Sequence, residues 1–192
     1  MDKMIDNIDK YVDETQPVQC KIGLKWMIEK YRTLNPKVYL EIGAAHLATF
    51  RLFEQYLPKE DGLAIGIDTH PNTIQWNLYK TEDRCRTELI HKSSIEPDVF
   101  EQVKTILNGR KIDWLTIDGW HWYDHVRPEW DYYTPLVRPG GIVMLHDCDP
   151  PAVQRGFLDG QGAGMVYLEE LAKGQKGYLV PNSTIGTAIF EM

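Results

Sequence analysis

Ile112 to Cys148 reads I-D-W-L-T-I-D-G-W-H-W-Y-D-H-V-R-P-E-W-D-Y-Y-T-P-L-V-R-P-G-G-I-V-M-L-H-D-C. An apolar run meets an acidic turn, a helical pattern follows, and a Pro-Gly-Gly turn leads into a second apolar run. Both runs finish on an aspartate, Asp118 and Asp147. Two strands joined through a helix run parallel. In an open parallel sheet, the strand ends at one edge form the ligand crevice. This stretch therefore predicts an α/β fold and also says where its site lies.

The same alternation extends on both sides. Val38 to Ile42 and Leu63 to Ile67 are short buried-type strands ending near Gly43 and Asp68. A helix follows the first and runs to about Leu57. Pro71 to Tyr79 predicts a helix opened by proline, and Glu88 to His91 a weak strand. Val99, Phe100, Val103, Ile106 and Leu107 form a helical stripe that Asn108-Gly109 ends. Ile112 to Ile117 and Ile142 to His146 are the next strands. Gly156 to Gly164 reads as a loop and Met165 to Ala172 as a helix. Tyr178 to Val180 and Thr187 to Phe190 read as a closing hairpin through Pro181-Asn182-Ser183, which makes the last strand antiparallel to its neighbour. At the other end, Met4, Ile5, Ile8, Tyr11 and Val12 share one helical face, and Leu24, Met27, Ile28, Tyr31 and Leu34 another. Pro17 separates these helices and Asn35-Pro36 ends the second. They predict a helical cover over residues 1–35 on an α/β core over 36–192, one domain in all.

The chain has 192 residues, 43% hydrophobic and 26% charged, the profile of a globular protein with a sizeable core. No apolar run approaches the ~20 residues of a membrane span, and the acidic start M-D-K-M-I-D-N-I-D-K lacks an apolar signal core. A cytoplasmic protein with no membrane partner is expected. A net charge of -7 argues against general nucleic-acid binding, which needs clustered Lys and Arg. Cys20, Cys85 and Cys148 are odd in number and far apart, so neither a disulfide framework nor structural zinc is expected.

Three constellations carry chemistry. In E-I-G-A-A-H-L-A-T-F, Glu41 to Phe50, a strand runs into Gly43 and small residues before a helix, which lets backbone approach a nucleotide-like ligand. The dinucleotide pattern G-x-G-x-x-G is absent. Asp68 is placed to accept hydrogen bonds from ribose hydroxyls; the plainer alternative is that it caps the next helix. The second constellation is Asp118, His121, His146 and Asp147. Aspartates at adjacent strand ends can converge on a hard divalent cation, and a histidine among them suits Mn²⁺ or Fe²⁺ at least as well as Mg²⁺. His121 is either a general base or a packing residue beside Tyr123. The third is aromatic: Trp114, Trp120, Trp122, Tyr123, Trp130, Tyr132 and Tyr133 crowd one span. Trp114 belongs to the core. Trp120 and Trp122 flank His121 and either stack on a planar acceptor or bury an oligomer contact.

Taken together, Glu41-x-Gly43, Asp68, I-D-G-W-H-W-Y-D-H-V, P-L-V-R-P-G-G and the H-D strand end resemble a class I S-adenosylmethionine-dependent methyltransferase. The subset most resembled is the small-molecule group containing the cephalosporin-hydroxylase-like and macrocin-type O-methyltransferases. The resemblance covers roughly residues 36 to 192, and Ile117 to Asp147 is its most specific part. It implies a Rossmann-like, open, mostly parallel seven-stranded sheet with an antiparallel C-terminal strand. It implies S-adenosylmethionine as cofactor, with Glu41, Gly43 and Ala44 near its amino-acid end, Asp68 on its ribose, Ser93 and Ser94 near its adenine, and Asp118 beside it. The plainer alternative for the serines is a helix N-cap. Asp118 and His121 are the implied catalytic residues, and Asp118, Asp147 and His146 the implied ligands of Mg²⁺ or another divalent cation. The acceptor would be a hydroxyl of a small molecule.

One position departs from the family pattern. The resembling sequences carry glycine where this chain has Leu47. A leucine there must either point away or narrow the pocket. A second hypothesis is therefore a non-catalytic methyltransferase-fold binding protein with a degenerate cofactor loop. A nicotinamide-dependent oxidoreductase is a third, disfavoured by the missing glycine fingerprint.

Overall fold

A computed structural model of the chain describes residues 21–70, 84–156, 158–181 and 186–192. The elements are α1 (Lys21–Leu34), β1 (Val38–Ile42), α2 (Ala48–Glu54), β2 (Leu63–Ile67), β3 (Arg86–Ile90), α3 (Pro97–Leu107), β4 (Ile112–Ile117), α4 (Tyr123–Tyr133), β5 (Val137–His146), α5 (Pro150–Gln154), α6 (Gly162–Ala172), β6 (Gly177–Leu179) and β7 (Thr187–Glu191). A 3₁₀ turn, Thr134–Leu136, joins α4 to β5. The expected helices near residues 4–12 and 71–79, and the hairpin tip at Asn182-Ser183, lie outside the described residues.

The strands form one seven-stranded sheet in the order β3-β2-β1-β4-β5-β7-β6. β7 pairs antiparallel with both β5 and β6, and the remaining pairs are parallel. The order reverses direction between β1 and β4, which is where an open α/β sheet opens a crevice.

Alternation along β1 explains the two cores. Val38, Leu40 and Ile42 face one side, with Val99 and Val103 of α3, Val126 and Trp130 of α4, and Val166 of α6. Tyr39 faces the other, with Leu24, Met27 and Tyr31 of α1 and Phe50 and Phe53 of α2. All residues of β1, β2 and β4 are buried, as expected for parallel strands covered on both faces. No helix among the described residues is long and apolar enough to cross a membrane.

At the sheet edge opposite the crevice, Asp113 ties three segments together. Its Oδ2 accepts the amides of Lys37 and Val38, both at 2.8 Å, and its Oδ1 accepts from Arg138 Nε. Two boundaries differ from the sequence reading. β5 begins at Val137, so Pro139-Gly140-Gly141 lies within the strand. The Gly140 amide donates to Met192 O at 2.6 Å, and the Met192 amide to Gly141 O at 3.0 Å. Likewise α6 starts at Gly162, inside the stretch read as a loop.

Candidate active site

The crevice is built outward from Gly43. Its φ is 86°, and its amide donates to Ile67 O at 2.9 Å. A Cβ there would stand 2.0 Å from the Asp118 carbonyl oxygen. Glycine alone lets the ends of β1, β2 and β4 close to this degree. Next, the Ala45 amide donates to Asp68 Oδ2 and the His70 amide to Asp68 Oδ1, both at 2.6 Å. These bonds fix the Asp68 carboxylate and leave each oxygen a further lone pair.

Leu47 sits in the left-handed region, φ 64° and ψ 15°, directly before α2. The backbone thus takes the conformation a glycine would favour. The side chain is fully buried with Phe50 and Phe53 on the α1/α2 side of the sheet. It turns away from the crevice and does not narrow it.

A cavity of about 520 Å³ occupies the crevice. Gly43, Ala45, Asp68, Ser94, Asp118, Trp120 and Glu129 are among the residues that line it. Of the expected cofactor residues, Gly43, Asp68, Ser93, Ser94 and Asp118 meet here. Ala44 is buried in the core. Glu41 is buried too, accepting a hydrogen bond from Tyr39 at 2.6 Å. Burial raises its pKa to about 8; the Tyr39 bond works against this, while Asp118 and Asp68 add to it. The serines do not cap α3: the residue before that helix is Glu96. Instead Ser94 donates its hydroxyl to Glu129.

At the cavity's Asp118 wall, β4 and β5 end side by side. Asp118, His121 and Asp147 each offer one ligand atom, and these atoms lie within 4.8 Å of one another. His121 Nε2 is 2.8 Å from Asp147 Oδ2. Asp147 bends the chain, with φ 51°. His146 lies behind this set with a buried side chain, its Nδ1 2.7 Å from Asp118 Oδ1 and 3.4 Å from Asp147 Oδ2. Neither ring nitrogen is in hydrogen-bonding geometry within the described structure. The converging donors thus include His121, whereas His146 backs the two acids.

The charges follow from this packing. Burial disfavours a charged His146, but Asp118 and Asp147 outweigh it and lift the pKa to about 10. Burial likewise opposes ionisation of Asp147, yet its contacts with His121 and His146 hold it well below the usual carboxylate range. The hydrogen bond to Asp147 raises the pKa of His121. Trp120 lines the cavity, and both Trp120 and Trp122 are exposed beside His121.

Sequence reading had not singled out Glu129. It is 1% exposed on a face of α4 that otherwise carries Val126, Trp130 and Tyr133 inward. An acid inside an apolar stripe was the available signal. Burial raises its pKa to about 7, against the Ser94 hydrogen bond and with help from Asp118.

Residues 40–148 match the family profile described as a methyltransferase domain. The match spans more than half of the 192 residues, and the chain belongs to this methyltransferase-domain family. The fold agrees. MycE, a methyltransferase of the mycinamycin biosynthetic pathway solved with Mg and SAH, is similar with a TM-score of 0.69 at 17% identity, over 96% of this chain and 54% of that one. SAH-bound PaMTH1 of Podospora anserina gives 0.67 at 16% identity, covering 97% and 87%. TomG of Streptomyces achromogenes, an O-methyltransferase of tomaymycin synthesis solved with SAM, gives 0.66 at 14%, covering 100% and 90%. At these identities the likeness is one of fold. Among curated proteins, none matches this chain.

Proposed function

We propose that this protein is an S-adenosylmethionine-dependent methyltransferase acting on a hydroxyl of a small molecule, with a divalent cation at Asp118, His121 and Asp147. One observation carries the reading: Asp118 belongs both to the cavity wall and to the converging donor set. A cofactor in the cavity and a cation at the donors would therefore share a boundary, and the acceptor would sit between them.

The residues present fit both groups. Gly43, which packs too closely on the Asp118 backbone to carry a side chain, leaves its turn open to the cavity that it lines. Asp68 is held with lone pairs to spare for two ribose hydroxyls. Two carboxylates and an imidazole make a mixed oxygen and nitrogen donor set suited to Mg²⁺, Mn²⁺ or Fe²⁺. When bound, the cofactor supplies an electrophilic sulfonium methyl, and the cation lowers the pKa of an acceptor hydroxyl. The protein's own part is positioning: Asp68 and the Gly43 turn fix one reactant, and Trp120 and Trp122 offer flat surfaces to the other. The burial of Leu47 in the core supports this reading over a degenerate cofactor loop.

A second reading keeps the cavity and drops the cation. Asp147 orients the His121 ring through Nε2, which leaves Nδ1 to accept the hydroxyl proton as a general base. Transfer of labelled methyl from S-adenosylmethionine to a panel of hydroxylated small molecules tests the activity, with and without a chelator. Loss of transfer on chelation, restored by Mg²⁺ or Mn²⁺, supports the cation; unaffected transfer supports the base. No binding of S-adenosylhomocysteine by calorimetry defeats both.

A further inference from the structure

His121 has a role in both readings of the site, yet little packing holds it in place. It lies on the short segment between β4 and α4 and is half-exposed, with Trp120 and Trp122 exposed on either side. Trp122, the residue before α4, has extended backbone, and its side chain caps nothing. The segment is instead held against α6. The Gly162 amide, at the first residue of that helix, donates to His121 O at 2.8 Å. Gly162 packs so closely that a Cβ there would stand 2.7 Å from the Tyr123 amide nitrogen. About two turns further along the same helix face, Glu169 accepts the Tyr123 hydroxyl, at 2.8 Å through Oε1 and 3.0 Å through Oε2.

One helix thus grips the segment at both ends, by the His121 carbonyl and by the Tyr123 hydroxyl. Arg127, one turn along α4 from Tyr123, adds to the second grip: its Nη1 donates to Glu170 Oε1 at 2.7 Å and to Glu169 Oε2 at 3.4 Å. Burial, and then the bond to Glu169, raise the pKa of Tyr123, so the hydroxyl keeps its proton and remains the donor. The His121 ring reaches out from this clamped segment to Asp147, Nε2 to Oδ2 at 2.8 Å. A segment free to slide along α6 would carry the imidazole off that contact. We propose that Tyr123 is a positioning residue: its hydroxyl, bonded to Glu169 of α6, holds the His121 segment so that the imidazole faces Asp118 and Asp147. This rests on the reading of that corner as the reacting end of the site.

The test uses the full chain and Mn²⁺ alone, titrated by calorimetry into the wild type, Tyr123→Phe, His121→Ala and the double variant. Tyr123→Phe removes one oxygen and keeps the ring. It should weaken Mn²⁺ binding about threefold to tenfold, as loss of one hydrogen bond to a partly exposed carboxylate allows. In the His121→Ala background the same change should alter affinity by less than about twofold, since the residue it positions is gone. A general structural role for Tyr123 would weaken binding equally in both backgrounds, and that result overturns the inference. So does unchanged affinity in Tyr123→Phe alone. Amide exchange gives a readout without the cation. In Tyr123→Phe the Gly162 amide should exchange about tenfold faster, with the amides of β1 and β4 unaltered; unaltered exchange at Gly162 overturns the inference. If the wild type binds no Mn²⁺, the cation reading fails by itself, and the exchange measurement still decides whether Tyr123 holds this segment.

Discussion

Leu47 sets two costs against each other at one residue. Its left-handed backbone strains a side chain by roughly 1–2 kcal/mol. Its burial, however, fills core space whose loss costs about 2–5 kcal/mol. Packing outweighs strain, so Leu47→Gly should lower thermal stability by roughly 1–3 kcal/mol and leave S-adenosylhomocysteine affinity unchanged; melting curves and calorimetry check both. Asp68→Ala should do the reverse, weakening that affinity about tenfold or more through loss of charge-assisted acceptors. Glu41 predicts a pH effect. Its folded pKa is raised to about 8 from an ordinary 4.5, so the folded state keeps a proton that the unfolded state releases. Stability should fall as pH rises between these values and then level off, at up to about 1.4 kcal/mol per unit. Glu41→Gln should reduce the slope in melts taken from pH about 5 to about 8, with the part due to Glu129 remaining. Sequence exposed Asp68 and Gly43 because acid and glycine at strand ends have few other uses. It left the direction of the Leu47 side chain open, because direction follows from φ, which the letters do not print.

Elements were legible where the signal was local. The stripe of α3 and its Asn108 end, in the left-handed region at φ 48°, follow from residues within one helix. The start of β5 does not. Pro139-Gly140-Gly141 has the letters of a turn, and Gly140 does bend the chain at φ 73°, yet Met192 exchanges backbone hydrogen bonds with Gly140 and Gly141 and keeps the segment in the sheet. The start of α6 is hidden for the same kind of reason. A Cβ on Gly162 would lie 2.6 Å from Trp122 C and 2.8 Å from His121 O, and the Gly162 amide donates to His121 O at 2.8 Å. The helix therefore begins against the segment that carries His121. Gly162→Ala should cost about 1–3 kcal/mol by overpacking. It should also weaken Mn²⁺ binding by displacing His121, measured by titration calorimetry. Intact cation affinity in a folded Gly162→Ala protein would show that α6 does not position this residue.

At the scale of the molecule, the site exists because strands far apart in sequence end at one edge. That edge was legible, since Gly43, Asp68, Asp118 and Asp147 each follow an apolar run. The pairing of His121 with Asp147, and the retreat of His146 behind them, depend on side-chain directions set by two strands together. Asp118→Asn and Asp147→Asn should each weaken Mn²⁺ binding, because a neutral amide replaces a charged ligand; unchanged affinity in both would remove the cation from this site. The sheet also predicts a gradient of local stability. β1 and β4 are buried throughout, whereas β3 and β6 form the edges and are partly exposed. Amide exchange should be slowest in β1 and β4 and faster by orders of magnitude in β3 and β6.

The bend at Asp147 constrains how this corner can drift over evolutionary time. At φ 51°, aspartate and asparagine are among the few side-chain-bearing residues a chain tolerates readily. Asparagine keeps the bend and gives up the charge. Glutamate keeps the charge, strains the bend and carries its oxygens one carbon further out. The exchange of one acid for the other, ordinarily mild, is here the harsher change. Descendants of this chain can silence the corner in a single tolerated step, but have no equally easy step that reshapes it for a larger ion.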